Sequence, residues 1–406
     1  VDDPFVAIHF SNAWETDDGK IEVDLTRYED PEPVLSIPRF QIGKVGVEAK
    51  FEDALRGKAG AKRVEVNGVG RVMRELDRQE GDSGADIQLT VDSGLQDYVT
   101  ARLGIESASC VVMDVEKGDL LAIASAPTYD PNKFVRGISV PDYAVLRDND
   151  HRPLASKTVQ DAYPPGSTFK MVVALAALDA GLLSPDDTYW CPGHLEVGSR
   201  RFHCWKRTGH GHVNLEHSLR ESCDVFYYEL AMKVGIEKIT AMARKMGFGD
   251  APDVPMSAVT AGLVPDKDWK RRERGAEWLI GDTVNASIGQ GFVLSSPLQQ
   301  AVMTARVATG RAVRPRLIKT IDGIEPPIEG GEDLGLNPNH LRWVRRGMYA
   351  VMNNRRGHRL PVAGGSRTLS DGRQIRHQSG AQPRRAQRGC PVGGTRPRAV
   401  RGLCPL

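Results

Sequence analysis

The sequence predicts an α+β protein, and three features of it do so. Two apolar, β-prone runs, SCVVMDV and LLAIASA, flank the turn-type stretch Glu116-Lys117-Gly118-Asp119 and read as neighbouring strands. Beyond them apolar residues recur at helical spacing, and Gly181, Gly235 and Gly247 stand where those helices should stop. Sheet first and helices after is the α+β order, and it leaves the sheet in need of further strands.

The 406 residues are 40% hydrophobic and 26% charged, an ordinary globular composition with length for two or three domains. Disordered and fibrous classes are excluded. The 54 basic and 52 acidic residues leave a net charge of +2, which makes no case for nucleic acid as a partner. No run of about 18 apolar residues occurs and Val1 opens a polar stretch, so neither a membrane helix nor a signal peptide is expected within these residues.

In chain order, the text from Val1 to about Asp82 is charged and irregular, with one amphipathic helix candidate at Val47 to Arg56. A hairpin signal, Asn67-Gly68, separates VEV from VGRVMREL. The Gly/Asp/Ser stretch from Gly81 to Gly84 marks a boundary, giving a small α+β region at 1–84 and a larger domain at 85–352. That domain opens with a strand at Ile87 to Val91 and a helix at Ser93 to Leu103. After the two apolar strands, helices are expected at Ser167 to Ala180, Leu215 to Val234, Ile236 to Met246, Pro297 to Ala308 and Asn339 to Met352. From Asn353 to Leu406 there are twelve Arg and nine Gly, one acidic residue (Asp371), and no Lys, Phe, Tyr or Trp, so 353–406 has little with which to build a core. Two readings account for this tail: a disordered basic segment, or a lost reading frame, since an out-of-frame GC-rich gene yields Arg, Gly, Pro and Cys.

Chemistry concentrates in Tyr163-Pro164-Pro165-Gly166-Ser167-Thr168-Phe169-Lys170. The prolines and glycine end an extended segment and MVVALAALDAG continues as a helix, which puts Ser167 at a helix N-terminus with Lys170 three residues on, on the same face. A serine hydroxyl is a weak nucleophile until a base takes its proton, and a lysine kept neutral among apolar groups can be that base. The free N–H groups of a helix N-terminus favour the charge that develops on an attacked carbonyl oxygen. A lone S-x-x-K arises by chance about once in a chain of this length, as an N-cap serine with a solvated lysine. The Pro-Pro-Gly before it and the apolar helix after it supply the specificity.

With these residues in hand, YPPGSTFK resembles the active-site serine motif of the class B penicillin-binding proteins, the elongation-specific kind more than the septal kind. Similar stretches are GVEAKFEDALRG, LTVDSGLQDYV, VVMDVEKGDLLAIASAPTYDPN and NASIGQGFVLSSPLQQA, so the resemblance covers roughly Pro38 to Met352. It implies an antiparallel-sheet transpeptidase domain of the penicillin-binding/β-lactamase kind on a pedestal or dimerisation-type domain. It implies Ser167 as nucleophile and Lys170 as base, with Ser222-Cys223-Asp224 as the second motif. Ser222 would relay protons between Lys170 and the leaving amine, and Asp224 would hold Lys170 and substrate. The third motif, K-T-G or K-S-G, is absent; the nearest text, His377-Gln378-Ser379-Gly380-Ala381-Gln382, has no lysine.

The implied activity is peptidoglycan D,D-transpeptidation through a serine acyl-enzyme, with β-lactams as mimics of the stem peptide. The implied place is the periplasmic face of the bacterial inner membrane, anchored by a helix outside this chain. The implied partners are stem peptides, a SEDS-type glycosyltransferase and the elongation scaffold. Two rivals stand beside this reading: a serine β-lactamase or β-lactam sensor, which the region before Asp82 argues against, and a catalytically defective fragment acting as a scaffold.

Three of the six cysteines, Cys191, Cys204 and Cys223, fall within 33 residues. With His210 they form a soft, closed donor set that suits structural zinc, although intervals of 12, 5 and 12 residues are not a zinc-finger spacing. The surrounding WCPGHLEVGSRRFHCWKRTGHGHVN has little apolar material, and a metal would supply the missing order. His203 or His212 could stand in for His210. A Cys191 to Cys204 disulfide or plain buried thiols are the alternatives.

Overall fold

The computed structural model describes residues 10–15, 21–27, 43–58, 60–66, 71–135 and 137–353. The first region is a four-stranded antiparallel sheet in the order β1-β2-β3-β4, built from β1 (Phe10–Glu15), β2 (Ile21–Arg27), β3 (Gly60–Val66) and β4 (Val72–Gln79). The expected β3–β4 pairing is present, while its turn at 67–70 lies outside the described residues. The strands β1 and β2 were not expected. Yet IEVDLTR places Ile21, Val23 and Leu25 in strict alternation, which is a strand signal. The helix expected at Val47 to Arg56 is two short ones, α1 (Gly46–Lys50) and α2 (Glu52–Arg56), broken at Phe51. Val47 packs into the apolar cluster of Leu120, Val159, Val254, Leu298 and Leu317, and the Gly46 N–H donates to Ser257 Oγ at 2.8 Å, which joins this region to the rest.

The larger region begins with β5 (Ile87–Leu89), followed by α3 (Ser93–Leu103), which Asp92 caps by accepting from the Leu95 N–H at 2.8 Å. The two apolar runs are β6 (Ala108–Met113) and β7 (Leu120–Ala126), an antiparallel pair around the expected turn. Leu120, Ala122, Ala124 and Ala126 are buried in alternation, and Ala122 and Ala124 let α3 lie close through Val99. There follow α4 (Asn132–Val135) and α5 (Val140–Arg147), the latter without a buried residue.

The helical core centres on α6 (Lys170–Asp179), entered through a 3₁₀ turn at Gly166–Phe169. Every residue from Lys170 to Leu178 is buried. Next come four short strands, β8 (Tyr189–Cys191), β9 (His194–Val197), β10 (Arg200–His203) and β11 (Gly211–Val213), paired β8 with β11 and β9 with β10. Around α6 pack α7 (Leu215–Arg220), α8 (Asp224–Val234) and α9 (Ile236–Lys245). The chain continues through α10 (Lys267–Arg274) and α11 (Ile280–Ser287) to α12 (Pro297–Thr309), which has a Ser296/Gln299 capping box and a left-handed Gly310 at its end. Last come β12 (Arg311–Val313), β13 (Ile318–Ile321), β14 (Gly330–Asp333) and α13 (Pro338–Asn353). β13 pairs with β5, and Leu120 N–H to Arg316 O at 2.9 Å ties that pair to β7.

A second expected helix is also divided. Leu215 to Val234 is not a single helix: α7 and α8 are separated at Glu221–Cys223, because Ser222 takes a left-handed backbone with φ of 50°. Among the described residues no helix is long and apolar enough to cross a membrane. The tail at 354–406, including His377 to Gln382, lies outside them.

Candidate active site

The turn carrying Ser167 is laid on a fixed bed. Tyr163 exchanges backbone hydrogen bonds with Ser295, both 2.9 Å, and the Gly166 N–H donates to Gly289 O at 3.0 Å. A Cβ on Gly289 would lie 2.3 Å from Gly166 O, so only glycine permits this approach. Phe169 is buried against Phe248, ring centroids 5.6 Å apart, and anchors the turn from within. Ser167 therefore sits in the 3₁₀ turn that leads into α6, with Lys170 three residues on as the first residue of the helix.

The break between α7 and α8 brings the second motif to the first. A left-handed serine costs about 1–2 kcal/mol, and the site holds Ser222 there with several bonds. Cys223 N–H donates to Ser218 O at 2.9 Å, and Trp205 Nε1–H donates to Glu221 O at 2.9 Å. Lys170 Nζ donates to Ser222 O at 3.0 Å, to Ser222 Oγ at 2.9 Å and to Asp224 Oδ1 at 2.7 Å. The amine thus has three acceptors around it, enough to hold it in one place. Asp224 opens α8, where the helix dipole favours a carboxylate, and its Oδ2 accepts the Trp205 backbone N–H at 2.9 Å. The Tyr227 ring lies 5.6 Å from the Lys170 amine.

The expected contact between Lys170 and Ser167 is indirect. Ser222 Oγ stands between them, 2.9 Å from the amine and 2.8 Å from Ser167 Oγ. The chain Asp224, Lys170, Ser222, Ser167 is unbroken, and with the Lys170 amine neutral it would pass a proton from Ser167 through Ser222 to that amine. Trp205 and Gly289 went unnoticed in the sequence. Trp205 acts partly through its backbone, which has no side-chain signature, whereas the glycines of SIGQG are a signal of close backbone approach.

Beside this chain lies a sulfur-rich cluster. The donor atoms of Cys191, Cys204, His210 and Cys223 all lie within 4.8 Å of one another. His210 Nδ1 is 3.6 Å from Cys191 Sγ and 3.5 Å from Cys204 Sγ. A tetrahedral zinc with Zn–S of about 2.3 Å and Zn–N of about 2.0–2.1 Å sets nitrogen-to-sulfur edges near ~3.6 Å, so these separations fit the ion. The three cysteines are buried, none joined in a disulfide, and His203 and His212 are not members of the cluster. A hydrogen bond from the Cys223 thiol pushes Cys204 down to about 5, and Cys223 is pushed up in return. The scaffold is β8 and β11 with two tight backbone crossings: a Cβ at Gly193 would meet Arg207 O at 2.1 Å, and one at Gly209 would meet Cys191 O at 2.2 Å. The segment is less bare than its composition suggests, since Tyr189, Phe202 and Val213 are buried in the main core.

Residues 108–368 match the family described as the penicillin binding protein transpeptidase domain, and residues 22–89 match the penicillin-binding protein dimerisation domain. The peptidoglycan D,D-transpeptidase MrdA of Haemophilus influenzae is 37% identical over 326 residues, which is 78% of this chain and 50% of that protein. The chain thus spans about half the length of the curated relatives it matches. Penicillin-binding protein 2 of Pseudomonas aeruginosa, solved in complex with WCK 5153, superposes with a TM-score of 0.72 at 35% identity, covering 81% of this chain and 71% of that one. Penicillin-binding protein 2 of Helicobacter pylori, solved in complex with MreC, gives 0.71 at 34% identity, covering 78% and 58%. By the extent of the transpeptidase match and by the serine, lysine and second-motif geometry within it, the chain belongs to the penicillin-binding protein transpeptidase family.

Proposed function

We propose that the chain carries the acyl-transfer half of a peptidoglycan D,D-transpeptidase of the elongation kind, working at the periplasmic face of the inner membrane. Ser167 attacks the penultimate D-Ala carbonyl of a stem peptide, the terminal D-Ala leaves, and an amine of a neighbouring stem takes the acyl group. Ser222 relays the proton between Ser167 and Lys170, and Asp224 orients the lysine. The observation that supports this most is the 2.8 Å contact between Ser222 Oγ and Ser167 Oγ, with Lys170 gripping Ser222. The scaffold partner follows by analogy with the Helicobacter pylori relative, whose structure contains MreC.

The test is covalent labelling by a fluorescent penicillin with mass mapping of the labelled peptide. With the lysine of the third motif missing from the sequence, labelling should be slow; the label should fall on Ser167, and Ser167→Ala and Lys170→Ala should each abolish it. Label on another serine, or undiminished labelling of Ser167→Ala, sinks the assignment. Rapid turnover of the penicillin instead of a stable adduct would select a β-lactamase.

We further propose that Cys191, Cys204, His210 and Cys223 hold structural zinc. The four donors close its shell, leaving no position for a catalytic water, and Cys223 would fix the middle of the second motif. Elemental analysis of the unreduced protein should find one zinc per chain, and thiols should titrate only after chelation. Absence of metal together with a Cys191 to Cys204 disulfide would overturn the site.

A further inference from the structure

Ser222 has to adopt a backbone conformation that serine disfavours, and the conformation sets where its hydroxyl points. Rotation about the Ser222 Cα is fixed by the two peptide planes on either side of it. The plane before it carries Glu221 O, which accepts the indole N–H of Trp205 at 2.9 Å. The plane after it carries Ser222 O, which accepts Lys170 Nζ at 3.0 Å. Returning Ser222 to negative φ would swing these carbonyls and break one or both bonds, and the hydroxyl would leave Ser167 Oγ.

Trp205 also reaches the far end of the triplet, since its backbone N–H donates to Asp224 Oδ2 at 2.9 Å. One residue therefore brackets Ser222-Cys223 from Glu221 to Asp224. The indole is exposed on one side and meets the His210 ring edge-on, centroids 5.4 Å apart. A tryptophan that served only to cover the hairpin would not need its single donor aimed at this carbonyl.

We propose that Trp205 is a positioning residue for acyl transfer, its indole N–H holding Ser222 in the left-handed conformation that aims its hydroxyl at Ser167. This rests on the reading of Ser222 as the relay. Trp205→Phe removes the donor while keeping an aromatic ring beside His210 and the backbone N–H to Asp224. Two measurements separate positioning from plain stability: amide hydrogen exchange of peptides spanning 216–226, and the rate of labelling by a fluorescent penicillin as a function of its concentration.

In the variant, exchange of the peptide spanning 219–224 should rise while peptides from α6 and from the body of α8 keep the parent's protection. The maximal labelling rate should fall on the order of ten- to a hundredfold, the scale of a misplaced reacting group, with the half-saturating concentration unchanged. Zinc content should also be unchanged. Trp205→Leu, which likewise lacks the donor, should reproduce both results. Parent-like exchange at 219–224 with a parent-like maximal rate in either variant overturns the proposal, as does loosening spread equally over α8. If the parent protein takes no label on Ser167, the acyl-transfer reading itself fails, and the exchange measurement alone decides whether Trp205 holds the turn.

Discussion

Both α6 and the segment from Tyr189 to Val213 touch the triplet Ser222-Cys223-Asp224, and they are held in place by different means. α6 is buried along its whole length from Lys170 to Leu178 and has no side-chain N-cap, so burial in the core does the holding. The segment buries Tyr189, Phe202 and Val213 together with Cys191 and Cys204, while Trp190, Arg200, Arg201, Trp205, Lys206 and Arg207 are exposed. Its order depends on directional contacts: a thiol and imidazole cluster, two crossings that only glycine allows, and the Trp205 bonds. Lys170 thus stands on a support of buried apolar side chains. Ser222 and Asp224 are positioned by both supports, through Lys170 on one side and Trp205 on the other.

The largest effect that sharpens this contrast is a core truncation. Leu175 is 1% exposed in the middle of α6, and Leu175→Ala should destabilise the whole domain by about 2–5 kcal/mol. Urea unfolding should show a lower midpoint with an unchanged slope, the mark of a lost native contribution and not of a changed denatured state. A loss under about 0.5 kcal/mol, the range of an ordinary surface change, would show that α6 is not the central support.

The same division explains what could be seen in the sequence. α6 was legible because fold and chemistry agree there: an apolar helix carries Lys170 three residues after Ser167. The triplet was legible as a motif but not as a structure. SLRESCDVFYYELAMKV keeps helical periodicity straight through Ser222, and a left-handed serine leaves no mark that periodicity can detect. Tertiary bonds from Lys170 and Trp205 decide that break. The strands β8 to β11 have three or four residues each, too short for alternation to show, and the glycine crossings and the sulfur cluster beside them join residues far apart in sequence. Clustering of Cys191, Cys204 and Cys223 pointed to a shared site with His210, and the coordinates bring His210 to the sulfurs in place of the stand-ins His203 and His212.

The smallest effect tests whether surface charge contributes to the second support. On the β9–β10 hairpin Arg201 lies opposite Glu196, donating to its Oε1 at 2.6 Å through Nη2 and at 3.2 Å through Nε. The side chains are 54% and 61% exposed, where water and salt screen the pair and side-chain ordering offsets much of its attraction. The hydrogen bond from Arg201 lowers the Glu196 pKa, so what the pair contributes is present above the ordinary carboxylate range and lost as the pH falls through the depressed value. Arg201→Ala should therefore unfold with the parent at neutral pH in about 0.15 M salt, where the Debye length is about 8 Å. At low salt a small gap should open at neutral pH and close on acidification. If Arg201→Ala instead weakened the protein as much as Leu175→Ala, at either salt concentration, the hairpin would be held by its surface ions, and the thiol cluster with its buried rings would lose its place as the second support of the site.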